Sequence, residues 1–396
     1  MAYYRRMGEV PPKRHTQFRR PESEGGGLYS EELMGEEGFS SDSALLYHRH
    51  LPTAIVDAVD VSTENAIGSS LMSATALNAP LLPRHYRTHS MAFGDNVVTG
   101  RRLLLGNDQV RMSFAQATVA SPLYRNGMGD ELVYVEEGAG TLETVFGSLE
   151  VSAGDYVVIP SSTTHRWVPR GQLRALIIEA RGHITLPSRY LSEHGQLLEH
   201  APFCERDLRG PEELLMSEQT DVEVLVRHRG GVTRYTYAHH PFDVVGWDGC
   251  LYPYAFSIHD FEPITGRLHQ PPPVHQTFAG PGFVICSFVP RLFDYHPLSI
   301  PAPYNHANVD SDEVLFYVGG DFMSRKGAGI EMGSITLHPG GFIHGPQPGS
   351  VEASIGKTAT DELAVMLDTF KPLEIATDAS HCEDPAYAWT WSGRKT

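Results

Sequence analysis

The chain has 396 residues, enough for two packed lobes, and its 41% hydrophobic and 20% charged content is that of an ordinary globular protein. Its 48 acidic side chains against 31 Lys and Arg leave a formal charge of −17, which argues against nucleic acid or an anionic membrane as a partner. The four cysteines lie far apart and form no CxxC, so a sulfur-based metal site is not expected, a reducing cytoplasm is, and the 20 histidines become the residues to search.

The N-terminal stretch "MAYYRRMGEVPPKRHTQFRRPESEGGG" is basic and has no apolar segment, so it reads as an arm rather than a signal peptide. No later run is long enough to span a bilayer. Residues 1–100 are expected to be this arm followed by an irregular segment. From residue 101 to 186 the texture changes to short strands punctuated by Gly, Pro and Asp, among them "ELVYVEEG", "GDYVVIP" and "LRALIIEA". Residues 187–221 read as a linker with some helix. Strand texture returns over 222–375, and 376–396 reads as a tail whose Trp389 and Trp391 should pack on a neighbour.

The two β-rich halves share a plan. In the first, Glu131 stands seven residues before Gly138, and a Gly-Asp turn and a Pro precede His165. In the second, Glu313 stands seven residues before Gly320, and Pro339-Gly340 precede His344. Strand with acid, Gly turn, return strands, Pro, then histidine is the two-motif plan of the cupin barrel. The expected fold is therefore all-β, with two cupin-like lobes (a bicupin) and an irregular N-terminal arm.

The halves differ in chemistry. Before Glu131 stands "YRNGMGD", without a histidine, so His165 lacks partners and the first lobe reads as structural. In the second half "YNHANVDSDE" supplies His306, Asn308 and Glu313, and His344 follows. Two histidines and one carboxylate make a facial triad with open positions for substrate and O₂. Asn308, at i+2 from His306 on what reads as a strand, is too weak a ligand to hold a metal but can hydrogen-bond a bound group.

These segments resemble the homogentisate 1,2-dioxygenase family over residues 27–371. "GGLYSEELMGEEGFS" is similar to its N-terminal segment, "FDVVGWDGCLYPYAFSIHDF" to the approach to its active site, and "APYNHANVDSDE" and "LHPGGFIHGPQPG" to its iron-binding motifs. The resemblance implies Fe(II) on His306, Glu313 and His344, and cleavage of homogentisate with O₂ to 4-maleylacetoacetate. It implies His269 as acid/base catalyst, with His275 a nearby alternative, and His338 as a further pocket histidine. Family spacing would put the carboxylate at Asp312, whereas register with Gly320 favours Glu313. Phe322 falls where the family has a substrate-contacting tyrosine, and Arg325 or Lys326 where it has a lysine, which makes Arg325 the candidate cation for the substrate's acid group. A homo-oligomer, trimer or hexamer, is also implied. A dioxygenase of a related hydroquinone acid such as gentisate, and a cupin without oxygenase activity, are the competing readings.

Overall fold

The computed structural model describes residues 3–91, 94–325 and 327–392. Among them only Asn65–Leu71 and Ser350–Ser354 are α-helical, and the chain is otherwise strands, 3-10 turns and loops. None of its helices is long and apolar enough to cross a membrane.

The first lobe is built from a nine-stranded and a seven-stranded sheet. Alternation along the strand Glu131–Glu137 explains how they pack. Val133 and Val135 turn into a core with Leu142, Trp167 and Ile177, between the two sheets. Leu132 and Tyr134 turn the other way, into a second core shared with Val314, Phe316 and Ile335 of the second lobe. The large sheet is thus buried on both faces, which is why its strands read as unbroken apolar runs.

The second lobe has a six-stranded sheet in which Asp312–Gly319 lies between Ser334–His338 and Leu363–Thr369. Its even positions, Val314 and Phe316, enter the core between the lobes. Its odd positions, Glu313, Leu315 and Tyr317, therefore face the opposite side, where a cavity opens.

Three boundaries differ from expectation. Residues 222–260 do not open the second lobe: Thr220–His228 pairs in parallel with Leu123–Asn126, and Tyr254–Ser257 pairs with Asp155–Ile159, both in the first lobe. The N-terminal segment is not irregular. Ser30–Gly35 and Ser43–His48 form a sheet with Val244–Gly249, and Arg84–Arg87 becomes an edge strand of the second-lobe sheet beside Ser334–His338. The linker 187–221 has 3-10 turns and one short strand in place of helix. The first two share a cause: a strand is completed by whichever open sheet edge it can reach.

A buried ion cluster fastens the N-terminal sheet. His48 Nδ1 lies 2.6 Å from Asp243 Oδ1 and its Nε2 lies 3.0 Å from Glu32 Oε2. Burial alone would lower the imidazole pKa, but the hydrogen bonds and charges of Asp243 and Glu32 outweigh it and raise it to about 9.

Candidate metal centre

Glu313, His306 and His344 come together at the inner wall of the second lobe, with ligand atoms all within 4.8 Å of one another. His344 Nε2 lies 3.2 Å from Glu313 Oε1, and His306 Nε2 lies 3.4 Å from Oε2. Each histidine is oriented by its other nitrogen: His306 Nδ1 meets the Tyr304 carbonyl at 3.2 Å, and His344 Nδ1 meets the Phe342 carbonyl at 3.1 Å. Those Nδ1 atoms must be the protonated ones, since a carbonyl only accepts. With Nδ1 so committed, it is Nε2 of each ring that is turned toward the carboxylate. Two imidazole nitrogens and a carboxylate converging in this way are a donor set that a divalent cation fits.

Glu313 has a third partner. The wholly buried His338 donates from Nδ1 to Oε1 at 2.8 Å and receives the Tyr387 hydroxyl on Nε2 at 2.8 Å. Burial works to raise the Glu313 carboxyl, yet hydrogen bonds from His306, His338 and His344 hold it well below the usual carboxylate range. His338, expected in the substrate pocket, thus stands behind the carboxylate and orients it.

Asp312 points the other way. Its Oδ1 accepts the Gly340 N–H and its Oδ2 the Leu373 N–H, both at 2.7 Å, so it ties down two loops. His306 and Asn308 do not lie on a strand. His306 is held by a lone bridge to His344, and the Asn308 carbonyl accepts from Gly341 N at 3.1 Å while the residue lines the cavity.

Of the other expected residues, His269 stands at the mouth with 61% of its side chain exposed, its Nδ1 3.2 Å from Asp294 Oδ2 and its Nε2 3.4 Å from the Tyr304 hydroxyl. His275 lines the same cavity but is buried against Phe288, and its Nδ1 has no hydrogen-bond partner among the described residues. Burial, helped by the Arg291 charge, pushes its pKa down to about 3, so this ring is neutral. Phe322 is not on the cavity wall and packs edge-on against Tyr317, with ring centroids 5.0 Å apart. Arg325 is not a solvated loop residue. It is buried on the wall, donates from Nε to the Tyr317 hydroxyl at 3.1 Å and from Nη1 to the Gly345 carbonyl, and lies 5.8 Å from the Trp391 ring centre. Lys326 lies outside the described residues.

The tail was expected to pack on a neighbour. Trp391 packs on its own chain's centre: its Nε1 donates to the Gly345 carbonyl at 3.0 Å and its ring lies beside His338 and Tyr387, while Trp389 is 49% exposed. Sequence reasoning missed Tyr387. The aromatic density of "AYAWTW" was the available signal.

It also missed Arg101. In the first lobe Glu131 receives this buried guanidinium, with Nη1 to Oε1 at 3.1 Å, and Asn126 Nδ2 at 2.9 Å. Burial would raise the Glu131 carboxyl, but Arg101 and His165 hold it low. Here a side-chain cation meets the carboxylate that aligns with Glu313. In a second group, Glu36, Asp130 and His183, Asp130 is taken up by the backbone, accepting Ser161 N at 2.7 Å and Ile184 N at 2.8 Å.

Two β lobes on one plan, with a His–Glu–His set on the inner wall of the second, define a two-lobed cupin protein. A family model described as homogentisate 1,2-dioxygenase N-terminal matches residues 98–258. The chain is 41% identical over 99% of both chains to a putative dioxygenase of Saccharolobus solfataricus. It is 28% identical to a homogentisate 1,2-dioxygenase of Bradyrhizobium diazoefficiens over 68% of this chain and 62% of that one. A cupin 2 conserved barrel domain protein from Leptotrichia buccalis aligns over 75% of this chain and 100% of its own, at 9% identity and a TM-score of 0.32. The chain belongs to the homogentisate 1,2-dioxygenase family, a family of dioxygenases.

Proposed function

We propose that the protein is an Fe(II)-dependent dioxygenase that opens a hydroquinone-type aromatic ring, with homogentisate converted to 4-maleylacetoacetate as its reference reaction. The observation that supports this reading is the His306–Glu313–His344 set, of which His306 and Glu313 line a large cavity, in a chain of this family. Fe(II) held on one face by these residues would supply open positions for substrate and O₂ and a path for ring electrons to reach oxygen.

The chain's own residues do the rest. Asp294 holds His269 by Nδ1, which leaves Nε2 to take the phenol proton as the substrate enters. His338 and Tyr387 hold Glu313 in one orientation. Arg325 places a fixed positive charge beside the site for the substrate's acid group, and Asn308 offers an amide to a bound oxygen. Both atoms of O₂ end in the product, so one O₂ is consumed per ring opened. The same reading takes the assembled form to be a homo-oligomer of three or six chains.

The test is O₂ uptake by Fe(II)-reconstituted protein with homogentisate and gentisate, run beside a metal-free control. Uptake equal to the homogentisate added, with loss of the aromatic absorbance, supports the assignment. No uptake above the control with either acid, in protein that holds one iron per chain, would overturn it.

A further inference from the structure

The cavity is much larger than the reference substrate. Its volume is about 770 Å³. A benzene-sized ring fills a cavity of roughly 150 Å³, and two hydroxyls and an acetate arm add about half as much again. Several hundred ångström cubed remain beyond the ring.

The lining is mostly apolar by surface, with polar groups from Thr360, Glu362 and Asp368 among it. Ile264, Phe288, Leu315, Val351 and Met366 supply its apolar part, and Ile300 carries the apolar surface out to the mouth. The inner-wall arginines are largely committed. Arg291 donates to the Val289 carbonyl at 3.1 Å and faces Glu362 at 3.9 Å, and Arg325 is bound to Tyr317 and Gly345. Beyond one acid group near Arg325, the inner wall therefore has little to offer a second charge, and the remaining lining arginine, Arg267, stands out at the exposed rim. At the rim Leu292 and Ile300 are 63% and 61% exposed, beside the polar Arg267, His269 and Gln270. Singly exposed apolar side chains are ordinary, but a pair of them at the mouth of a mostly apolar cavity marks a binding surface.

Building on the dioxygenase reading, we infer that the preferred substrate is a dihydroxyphenyl acid bearing a bulky apolar substituent, seated in the outer chamber between Phe288 and Ile300. The ring lies at Glu313, the acid group at Arg325, and the substituent runs toward the rim.

The probe is a series of homogentisates alkylated on the side-chain carbon, from methyl to hexyl. Two measurements are made: calorimetric Kd on the metal-free protein, and kcat/KM from O₂ uptake on the iron-loaded protein. Each added methylene should tighten Kd about fourfold over the first few carbons, the factor that apolar transfer supplies. The kcat/KM series should rise in parallel. In Ile264→Trp and Val351→Phe, which narrow the chamber, the dependence on chain length should flatten while iron content stays at the wild-type level. A Kd that is flat or weakens with chain length overturns the inference, even if homogentisate turns over well. A Kd that tightens without any O₂ uptake keeps the ligand class and overturns the dioxygenase reading.

Discussion

His306 and His344 exchange both backbone hydrogen bonds: His306 N donates to His344 O at 2.8 Å, and His344 N donates to His306 O at 2.9 Å. Their rings stand 4.3 Å apart, centroid to centroid. Two loops from distant parts of the sequence are thereby clamped at the point where each carries a ligand. The spacing of the two Nε2 atoms is set by main chain rather than by the metal, which is the preorganisation a low-strain site needs.

The carboxylate assignment separates two neighbouring residues. Glu313→Ala should abolish iron retention, because it removes one of three ligands and the partner of three histidines. Asp312→Ala should keep iron but lower stability by about 1–3 kcal/mol, since the Gly340 and Leu373 N–H groups lose their acceptor. Metal analysis and thermal melts of both variants check this, and iron loss in Asp312→Ala with iron kept in Glu313→Ala would reverse the assignment.

Stoichiometry tests the first lobe. One iron per chain is expected, since Arg101 already neutralises Glu131. Arg101→Met should cost about 3–5 kcal/mol by stranding a buried carboxylate, and His165→Ala should leave iron content unchanged. Two irons per wild-type chain, measured after dialysis, would contradict the reading.

Proton transfer should depend on the exposed histidine. His269→Gln should keep iron and lower kcat by roughly 10²–10⁴. His275→Gln should have a smaller effect, because a ring whose pKa lies near 3 is a poor proton acceptor at neutral pH. The reverse order in single-turnover rates would move the role to His275.

Stability should fall in mild alkali for a reason remote from the iron. The His48 pKa is raised to about 9 in the folded protein, from the ordinary 6.5. Folding therefore favours the protonated ring. The contribution is fully present below pH ~6.5 and is lost as pH rises through about 9, amounting to on the order of 3 kcal/mol. Denaturant midpoints from pH 6 to 10 should show this decline, and His48→Gln should flatten it. An unchanged slope in the variant would assign the decline to other groups.

The residues that a cation needs were readable as types, since few side chains can serve and the Gly and Pro turns of the barrel repeat mark where they fall. That is why His306, Glu313 and His344 stood out, and why the shared plan of the lobes did. What lay outside the repeat was not readable. Arg101 precedes its partner Glu131 by a full hairpin, and Tyr387 and Trp391 reach the centre from a segment with no strand periodicity. The pairing of Tyr254–Ser257 with the first lobe was hidden for another reason: alternation says which face a strand buries but not which edge it joins.

The Tyr387–His338 contact has a consequence for how the protein comes to be active. All three ligands emerge from the ribosome well before the segment that braces them. A nascent or clipped chain lacking its final turn would carry a complete ligand set with Glu313 and His338 unsupported and the Gly345 loop missing its indole partner. The order of the candidate metal site therefore depends on a segment that lies outside the barrel repeat.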